Sequence, residues 1–192
     1  MESRRVGSET GGRTVRIGGP VSSRHSAFLL PDRGEPPESY DAVCARLHNS
    51  GLRTVVLGSI DDLTPAAAAP LLDELSLPWV TLVGYRAGAE LAWRTAAANS
   101  GRFVSLVAID RPHPAALAAG HTDADRRTDP DCRPVEMPTT LIVGSGAGAA
   151  ATRTGRYVYA EFRLVRLNGR TDLLRTASHE LATEIVLRSS AW

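Results

Sequence analysis

The segment Gly84-Tyr85-Arg86-Ala87-Gly88 joins an apolar run to a helical pattern, and its residue types are informative about chemistry. Two glycines in this spacing predict a turn so sharp that its central side chain stands above the end of the strand. That side chain is Arg86, a protonated guanidinium that can bind an anion but cannot attack a substrate. Because Arg86 would also face a helix N-terminus, which disfavours cations, we expect an anion beside it. The anion is either an internal carboxylate, from Asp32 or Asp110, or part of a ligand.

Further polar side chains follow the predicted strands at the end where parallel sheets bind ligands. Two of the candidates for a catalytic role, Asp110 and His113, lie near the end of one strand; the third is Arg86. Asp110 could equally be a loop or ion-pair carboxylate, and His113 and His121 could be solvated loop side chains. The residues that we expect to line a ligand site are Asp32, Ser59, Tyr85, Arg86, Ala87, Asp110 and Thr171.

The composition excludes several classes of function. All 22 basic residues are arginines, and they nearly balance 21 acidic residues, which disfavours a nucleic-acid binder. The absence of lysine excludes Schiff-base chemistry on a protein amine and a lysine-containing phosphate loop. Cys44 and Cys132 are too few and too far apart for a disulfide framework or a metal cluster. We expect a cytoplasmic protein without cofactor or metal, and with neither a membrane nor a nucleic acid as partner.

The apolar patterning positions these residues on an α/β framework. Strands of four to seven residues alternate with amphipathic segments, which predicts a mainly parallel sheet with helices on both faces. Residues 1–13 are expected to be a flexible arm, and residues 14–192 a single domain with a reduced or absent cap in the interval 111–136. The predicted strands are 14–17, 26–30, 54–57, 79–83, 103–109, 139–143 and 161–167, and the last helix is 176–188.

With its turn at Gly84 to Gly88 and this order of elements, the chain resembles a small, lidless α/β-hydrolase of the esterase or thioesterase kind. The resemblance extends over residues 14–188. The family places a nucleophile at the centre of the turn, an acid after a later strand and a histidine before the last helix. The matching positions here hold Arg86, the small residues 144–149 and Thr171. Pro31-Asp32 replaces the family's His-Gly, so the resemblance implies the fold without its Ser-His-Asp chemistry.

The segment 144–149 also reads G-x-G-x-x-A after a strand, which is the pattern of a dinucleotide-binding turn. That motif should open a long helix, and the residues that follow it predict a poor one. The competing interpretation is a loop of small residues where the family carries its acid.

Three hypotheses about function follow. The first is a triad-less hydrolase-like protein with a crevice for a small molecule, acyl or anionic, acting as a binding protein or a non-hydrolytic cyclase, isomerase or lyase. The second is a non-catalytic module that binds a protein partner or a second copy of itself. The third is an esterase or thioesterase that uses displaced residues, such as Ser59 or Ser145 with His113.

Overall fold

A single sheet of eight strands organises the computed structural model, which describes residues 1–6, 12–99, 101–118, 132–146 and 148–189. The strand order is β1-β2-β4-β3-β5-β6-β7-β8. β1 and β2 run antiparallel to their neighbours, and all other pairs are parallel. The strands are β1 (Glu2–Val6), β2 (Arg13–Gly18), β3 (Ser26–Leu30), β4 (Arg53–Leu57), β5 (Val80–Tyr85), β6 (Phe103–Ile109), β7 (Thr139–Val143) and β8 (Phe162–Arg166).

Helices cover both faces of this sheet, as the alternation of strands and helices predicts. Consecutive strand residues point to opposite faces, so Phe28 and Leu82 pack in one apolar core while Leu29 and Val83 pack in the other. Parallel strands buried on both faces need these continuous apolar runs. The helices are α1 (Asp41–Asn49), α2 (Ala68–Glu74), α3 (Ala87–Ala98), α4 (Pro114–Ala118), α5 (Gly148–Arg153), α6 (Leu173–Thr176) and α7 (Ser178–Ser189).

The N-terminal segment departs from the predicted flexible arm. Glu2–Val6 forms β1, which pairs antiparallel with β2 and buries Val6 in the core. β2 is therefore an inner strand, between β1 and β4. Backbone pairing with β2 orders this polar segment, which the polar composition of residues 1–13 does not reveal. Residues 7–11 lie outside the described part of the chain.

Two helical segments also differ from expectation. The residues after β7 form the short helix α5 instead of a loop, because its three alanines favour a helical turn even without a cap. The last helix, predicted over 176–188, is α7, and a separate short helix, α6, precedes it and ends at Thr176. Pro70 is the third residue of α2, which begins directly after the 3-10 turn Pro65–Ala67. Its missing N–H has no intrahelical acceptor at that position, so the helix starts late and continues.

The interval after β6 contains α4, and residues 119–131 of it lie outside the described residues. None of the described helices is long and apolar enough to span a membrane.

Candidate functional site

The turn between β5 and α3 holds its central residue in a strained conformation. Arg86 has φ 48° and ψ −109°, a region that costs a non-glycine residue about 1–3 kcal/mol. The surrounding backbone fixes it there: the Arg86 N–H donates to the Ile109 carbonyl at 2.9 Å, and the Arg86 carbonyl accepts from Ala89 and Glu90 at 3.0 Å. The side chain is thereby directed out at the carboxyl end of the sheet.

The two flanking glycines make this turn possible. A Cβ at Gly84 would lie 2.5 Å from the Ala89 Cα, and a Cβ at Gly88 would lie 2.1 Å from the Leu30 carbonyl oxygen. Both contacts are with backbone, which cannot move aside as a flexible side chain could. Both positions therefore require glycine, as the sharp turn predicted from their spacing implies.

The Arg86 guanidinium is half exposed, with 46% of its side-chain surface open to solvent. Its Nη1 lies 3.7 Å from Asp32 Oδ2, and its Cζ lies 4.8 Å from the centre of the Tyr85 ring. Within the described residues the guanidinium donates no hydrogen bond. Of the two predicted counterions, Asp32 is the one beside Arg86; Asp110 Oδ1 instead accepts the Gly144 N–H at 2.8 Å and ties the ends of β6 and β7 together.

Asp32 is also bound to the backbone at the start of α3. Its Oδ1 accepts the Ala87 N–H at 3.1 Å and the Arg33 N–H at 2.9 Å. In a nucleophile elbow, the N–H after the central residue and an N–H of the loop after β3 together form the oxyanion hole. A side-chain carboxylate of this chain therefore occupies the place where the fold family stabilises a developing oxyanion.

Above this turn lies an open crevice of about 890 Å³. Asp32, Arg86, Ala87 and Asp110 line it, together with the sequence neighbours Ser145 and Gly146. Arg111 Nη2 lies 2.5 Å and Arg94 Nη2 lies 3.5 Å from the Glu90 carboxylate, so these three side chains form one ion-pair group. The lining also includes four apolar side chains, those of Ile60, Leu63, Leu91 and Leu117.

Three residues expected in the ligand site lie elsewhere. Ser59 donates to Asp61 Oδ2 at 2.6 Å, and Thr171 is exposed in the loop after β8. Tyr85 is buried beneath the turn, where its hydroxyl has no partner among the described groups. Burial raises the pKa of Tyr85 to about 12, so its hydroxyl stays protonated near neutral pH.

His113, predicted to be either a catalytic candidate or a solvated loop residue, is fully buried. Its Nδ1 accepts the Ala115 N–H at 3.2 Å, and its ring stacks on Tyr157 with centroids 4.7 Å apart. Its Nε2 lies 3.4 Å from Cys132 Sγ. These contacts tie the interval after β6 to the core, and His113 does not line the crevice. An aromatic and histidine cluster assembled from distant segments has no signature in local sequence. His121 lies outside the described residues.

Sequence analysis missed several residues that line the crevice. Glu90, Leu91 and Arg94 follow Ala87 at helical spacing, so the face of α3 below the turn could have been read as one wall. Arg111 directly follows Asp110 and could have been added on the same grounds. Ile60 and Leu63 come from an irregular loop, where no periodicity indicates the direction of a side chain.

Neither alternative chemistry finds its geometry in the described part of the chain. No hydrogen bond joins His113 to Ser59 or Ser145, and Ser145 Oγ accepts the Gly169 N–H at 3.1 Å. α5 has six residues, too few for the long helix that a dinucleotide-binding turn requires. The residues described here also include no group of three or more His, Cys, Asp or Glu side chains that could hold a metal ion.

Comparison with known proteins relates this chain to hydrolases by structure. No family model and no curated sequence matches it. Epoxide hydrolase A from Mycobacterium thermoresistibile superposes with a TM-score of 0.78 at 11% identity, covering 99% of this chain and 98% of that one. A thioesterase domain from the curacin biosynthetic pathway gives 0.73 at 15% identity, covering 97% and 99%. Dienelactone hydrolase from Anabaena variabilis gives 0.73 at 19% identity, covering 98% and 97%. The fold of this chain is that of the α/β-hydrolases.

Proposed function

We propose that this chain uses its α/β-hydrolase fold to bind a small molecule in the crevice above Arg86, without the Ser-His-Asp chemistry of hydrolases. The observation that carries the proposal is the state of the turn after β5. The strained backbone and both flanking glycines are kept, yet the central side chain is a guanidinium and the adjacent N–H groups bind Asp32.

Acyl transfer needs a nucleophile, a base and a place for negative charge on the substrate oxygen. Arg86 supplies no nucleophile, because a guanidinium stays protonated at any physiological pH. The Asp32 carboxylate would repel an oxyanion at the N–H groups that should stabilise it. The open crevice also excludes water poorly, which weakens the electrostatic stabilisation of a transition state. Each of these features disfavours hydrolysis.

The crevice itself supports ligand binding. Its volume of about 890 Å³ is in the range of small-molecule sites, and its lining combines apolar side chains with charged groups that could orient a ligand. Leu91 and Leu117 would contact an acyl chain or another apolar body, while Arg86 would contact a polar head. The presence of both apolar contacts and a guanidinium favours an amphiphilic small molecule as the ligand.

A non-hydrolytic isomerase, lyase or cyclase is the second candidate. The Asp110 carboxylate favours it, because Asp110 lines the crevice near the turn and, within the described residues, only its Oδ1 is bound, to Gly144. A carboxylate and a guanidinium in one crevice could move a proton on a bound molecule. Such an enzyme would use the same ligand site, so both candidates make the same binding prediction.

The displaced-residue esterase is disfavoured by the partners of Ser59 and Ser145 given above. The interaction module also has less support, since the large exposed side chains Val21, Trp79, Tyr159 and Leu187 lie outside the crevice lining. A protein partner or homodimer, and a cytoplasmic location, remain predictions from the sequence.

The test is binding of the uncharged fluorescent probe N-phenyl-1-naphthylamine. The protein should enhance the emission of the probe in a saturable way. Leu91→Glu should weaken binding, because it places a charge where an apolar side chain lines the crevice. The matched control is Leu187→Glu, which changes an exposed leucine on α7 and should leave binding unchanged. No saturable binding, or equal loss in both variants, would refute a ligand site in the crevice.

A further inference from the structure

The Asp32 carboxylate is held by three positively polarised groups at the floor of the crevice. Its Oδ1 accepts the N–H of Ala87, the first residue of α3, at 3.1 Å and that of Arg33 at 2.9 Å. Its Oδ2 faces Arg86 Nη1 at 3.7 Å. A 12-residue helix directs its N-terminal dipole at the same carboxylate. These groups together form an anion site whose present occupant is a side chain of the protein.

Two guanidinium groups of the crevice lining, those of Arg33 and Arg86, have donors to spare. A guanidinium has five N–H donors, and Arg86 donates none of them to a described group. The side chain of Arg33 lines the crevice and has neither an ion pair nor a hydrogen bond within the described ranges. By contrast, Arg94 and Arg111 already share Glu90.

The charge of the crevice lining leads to the same conclusion. Its carboxylates are Asp32, Glu90 and Asp110, against the four arginines Arg33, Arg86, Arg94 and Arg111. Glu90 is engaged by two arginines and Asp110 by the Gly144 N–H. The lining therefore carries one net positive charge, and Arg33 and Arg86 are its two arginines without a hydrogen bond to a described residue.

We propose that the ligand of this crevice carries an oxyanion, a carboxylate or a phosphate, and that this oxyanion replaces Asp32 at the Ala87 N–H and Arg86. Asp32 is thus an internal substitute for the head group of the ligand and an autoinhibitory contact that the ligand must displace. This inference rests on the proposed function, because the apolar body of the ligand must lie in the crevice in contact with Leu91.

Displacement of Asp32 is feasible because this side chain is at the edge of the crevice. It belongs to the loop between β3 and α1 and has 23% of its surface exposed, so rotation would return its charge to water without disturbing the sheet. An incoming oxyanion regains the same N–H donor and adds the fork geometry that two guanidinium groups offer to carboxylates and phosphates. The exchange conserves charge at the start of α3.

The test compares two probes with the same aromatic body, 8-anilinonaphthalene-1-sulfonate and uncharged N-phenyl-1-naphthylamine. Asp32→Asn keeps the shape and a hydrogen-bond acceptor but removes the competing charge. It should tighten binding of the sulfonate about tenfold or more and leave the uncharged probe unchanged. Arg86→Gln should weaken the sulfonate by a similar factor, again without effect on the uncharged probe. Asp73→Asn and Arg175→Gln, at exposed ion pairs away from the crevice, are the matched controls.

The outcomes separate this inference from the proposed function. If Asp32→Asn leaves the affinity for the sulfonate unchanged or lowers it, Asp32 is only structural and the inference is wrong, while binding of the uncharged probe still supports the crevice. If neither probe binds, both proposals fail. Displacement of the bound sulfonate by octanoate or by octyl phosphate, with octanol as the uncharged control, distinguishes a carboxylate from a phosphate head group. Equal displacement by all three would overturn the requirement for an anion.

Discussion

Asp32 Oδ1 lies 3.1 Å from the backbone nitrogen of Ala87, so a carboxylate of this chain fills the N–H position that follows the centre of the turn. In hydrolases of this fold that N–H is kept for the substrate oxygen. The contact brings two opposite charges together, because the Arg86 guanidinium above the sheet and the Asp32 carboxylate at the helix start neutralise each other. The following predictions depend on that relationship and on the packing around it.

The effect of replacing Arg86 on the stability of the fold should depend more on the strained backbone at position 86 than on the loss of its ion pair with Asp32. Its ion pair is long and half exposed, so Arg86→Ala should cost only about 0–1 kcal/mol of unfolding free energy. Arg86→Gly should be more stable than Arg86→Ala by about 1 kcal/mol, because φ 48° is unstrained for glycine alone. Urea denaturation of the three proteins measures both differences. A loss of several kcal/mol in Arg86→Ala would show that the Asp32 pair is a main structural contact.

Gly88→Ala should destabilise the fold by at least about 3 kcal/mol, because the new methyl group would overlap the Leu30 carbonyl oxygen at 2.1 Å. The matched control is Gly34→Ala, in the loop that follows β3. Gly34 has φ 69° but open space around its missing Cβ, so that variant should lose only about 1 kcal/mol of backbone strain. Thermal and urea unfolding can compare the two. Similar losses would mean that β3 and α3 are not in such close contact.

Arg86→Ser should not restore hydrolysis. Among the described residues the new hydroxyl would have no histidine beside it, since the buried His113 is engaged by Ala115 and lies outside the crevice lining. A single member of a catalytic group recovers little when the others are missing. The measurement is covalent labelling by a fluorophosphonate, read as a mass shift of the intact protein. Stoichiometric labelling of the introduced hydroxyl in the Arg86→Ser variant would indicate a base that we have not recognised.

Arg188 and Glu161 should contribute unequally to stability although they form one ion pair. Arg188 is 4% exposed and also donates to Thr140 Oγ1 at 3.0 Å, whereas 69% of the Glu161 side chain is in solvent. Arg188→Ala should cost about 2–4 kcal/mol through the buried partners and the space left behind. Glu161→Gln should cost about 0–1 kcal/mol. Equal losses would contradict this distribution, and urea unfolding of both variants provides the comparison.

The stability of the fold should decrease at alkaline pH through Tyr85. Burial raises the pKa of Tyr85 from 10.0 to about 12, so the unfolded chain loses this proton first. The stabilising contribution is therefore complete below pH 10 and is lost as the pH rises towards 12. Tyr85→Phe should reduce that loss, whereas Tyr159→Phe, at a tyrosine that is 69% exposed, should not. Unfolding free energies at about pH 8 and about pH 11, on either side of the ordinary tyrosine pKa, test the difference. Identical pH dependence in both variants would count against it.

Much of this architecture could be predicted from local sequence, and the reasons are physical. β3, β5 and β7 are short apolar runs bounded by glycine or proline. Gly84 and Gly88 predict the sharp turn after β5, because any larger residue at either position would collide with backbone. β1 could not be predicted, because its residues are polar and its order comes from pairing with β2.

The site could be predicted only in part for a similar reason. Asp32, Arg86 and Asp110 could be predicted because they follow the carboxyl ends of parallel strands, which lie together at one edge of the sheet. The direction of each side chain depends on packing between distant segments. This packing buries Tyr85 and His113 in the core, although both were expected near the site. The contact between Asp32 and the Ala87 N–H spans 55 positions in sequence and joins a loop to a helix start, for which no periodic pattern exists.

The central claim, that this crevice binds substrate-like molecules without hydrolysing them, can be tested in one titration. p-Nitrophenyl octanoate is added to the protein with bound N-phenyl-1-naphthylamine, while emission of the probe and absorbance of p-nitrophenolate are recorded together. We predict saturable displacement of the probe with phenolate release no faster than in buffer. Phenolate release that saturates with ester and is lost in Leu91→Glu would contradict the account, because it would place a working hydrolase site in the crevice.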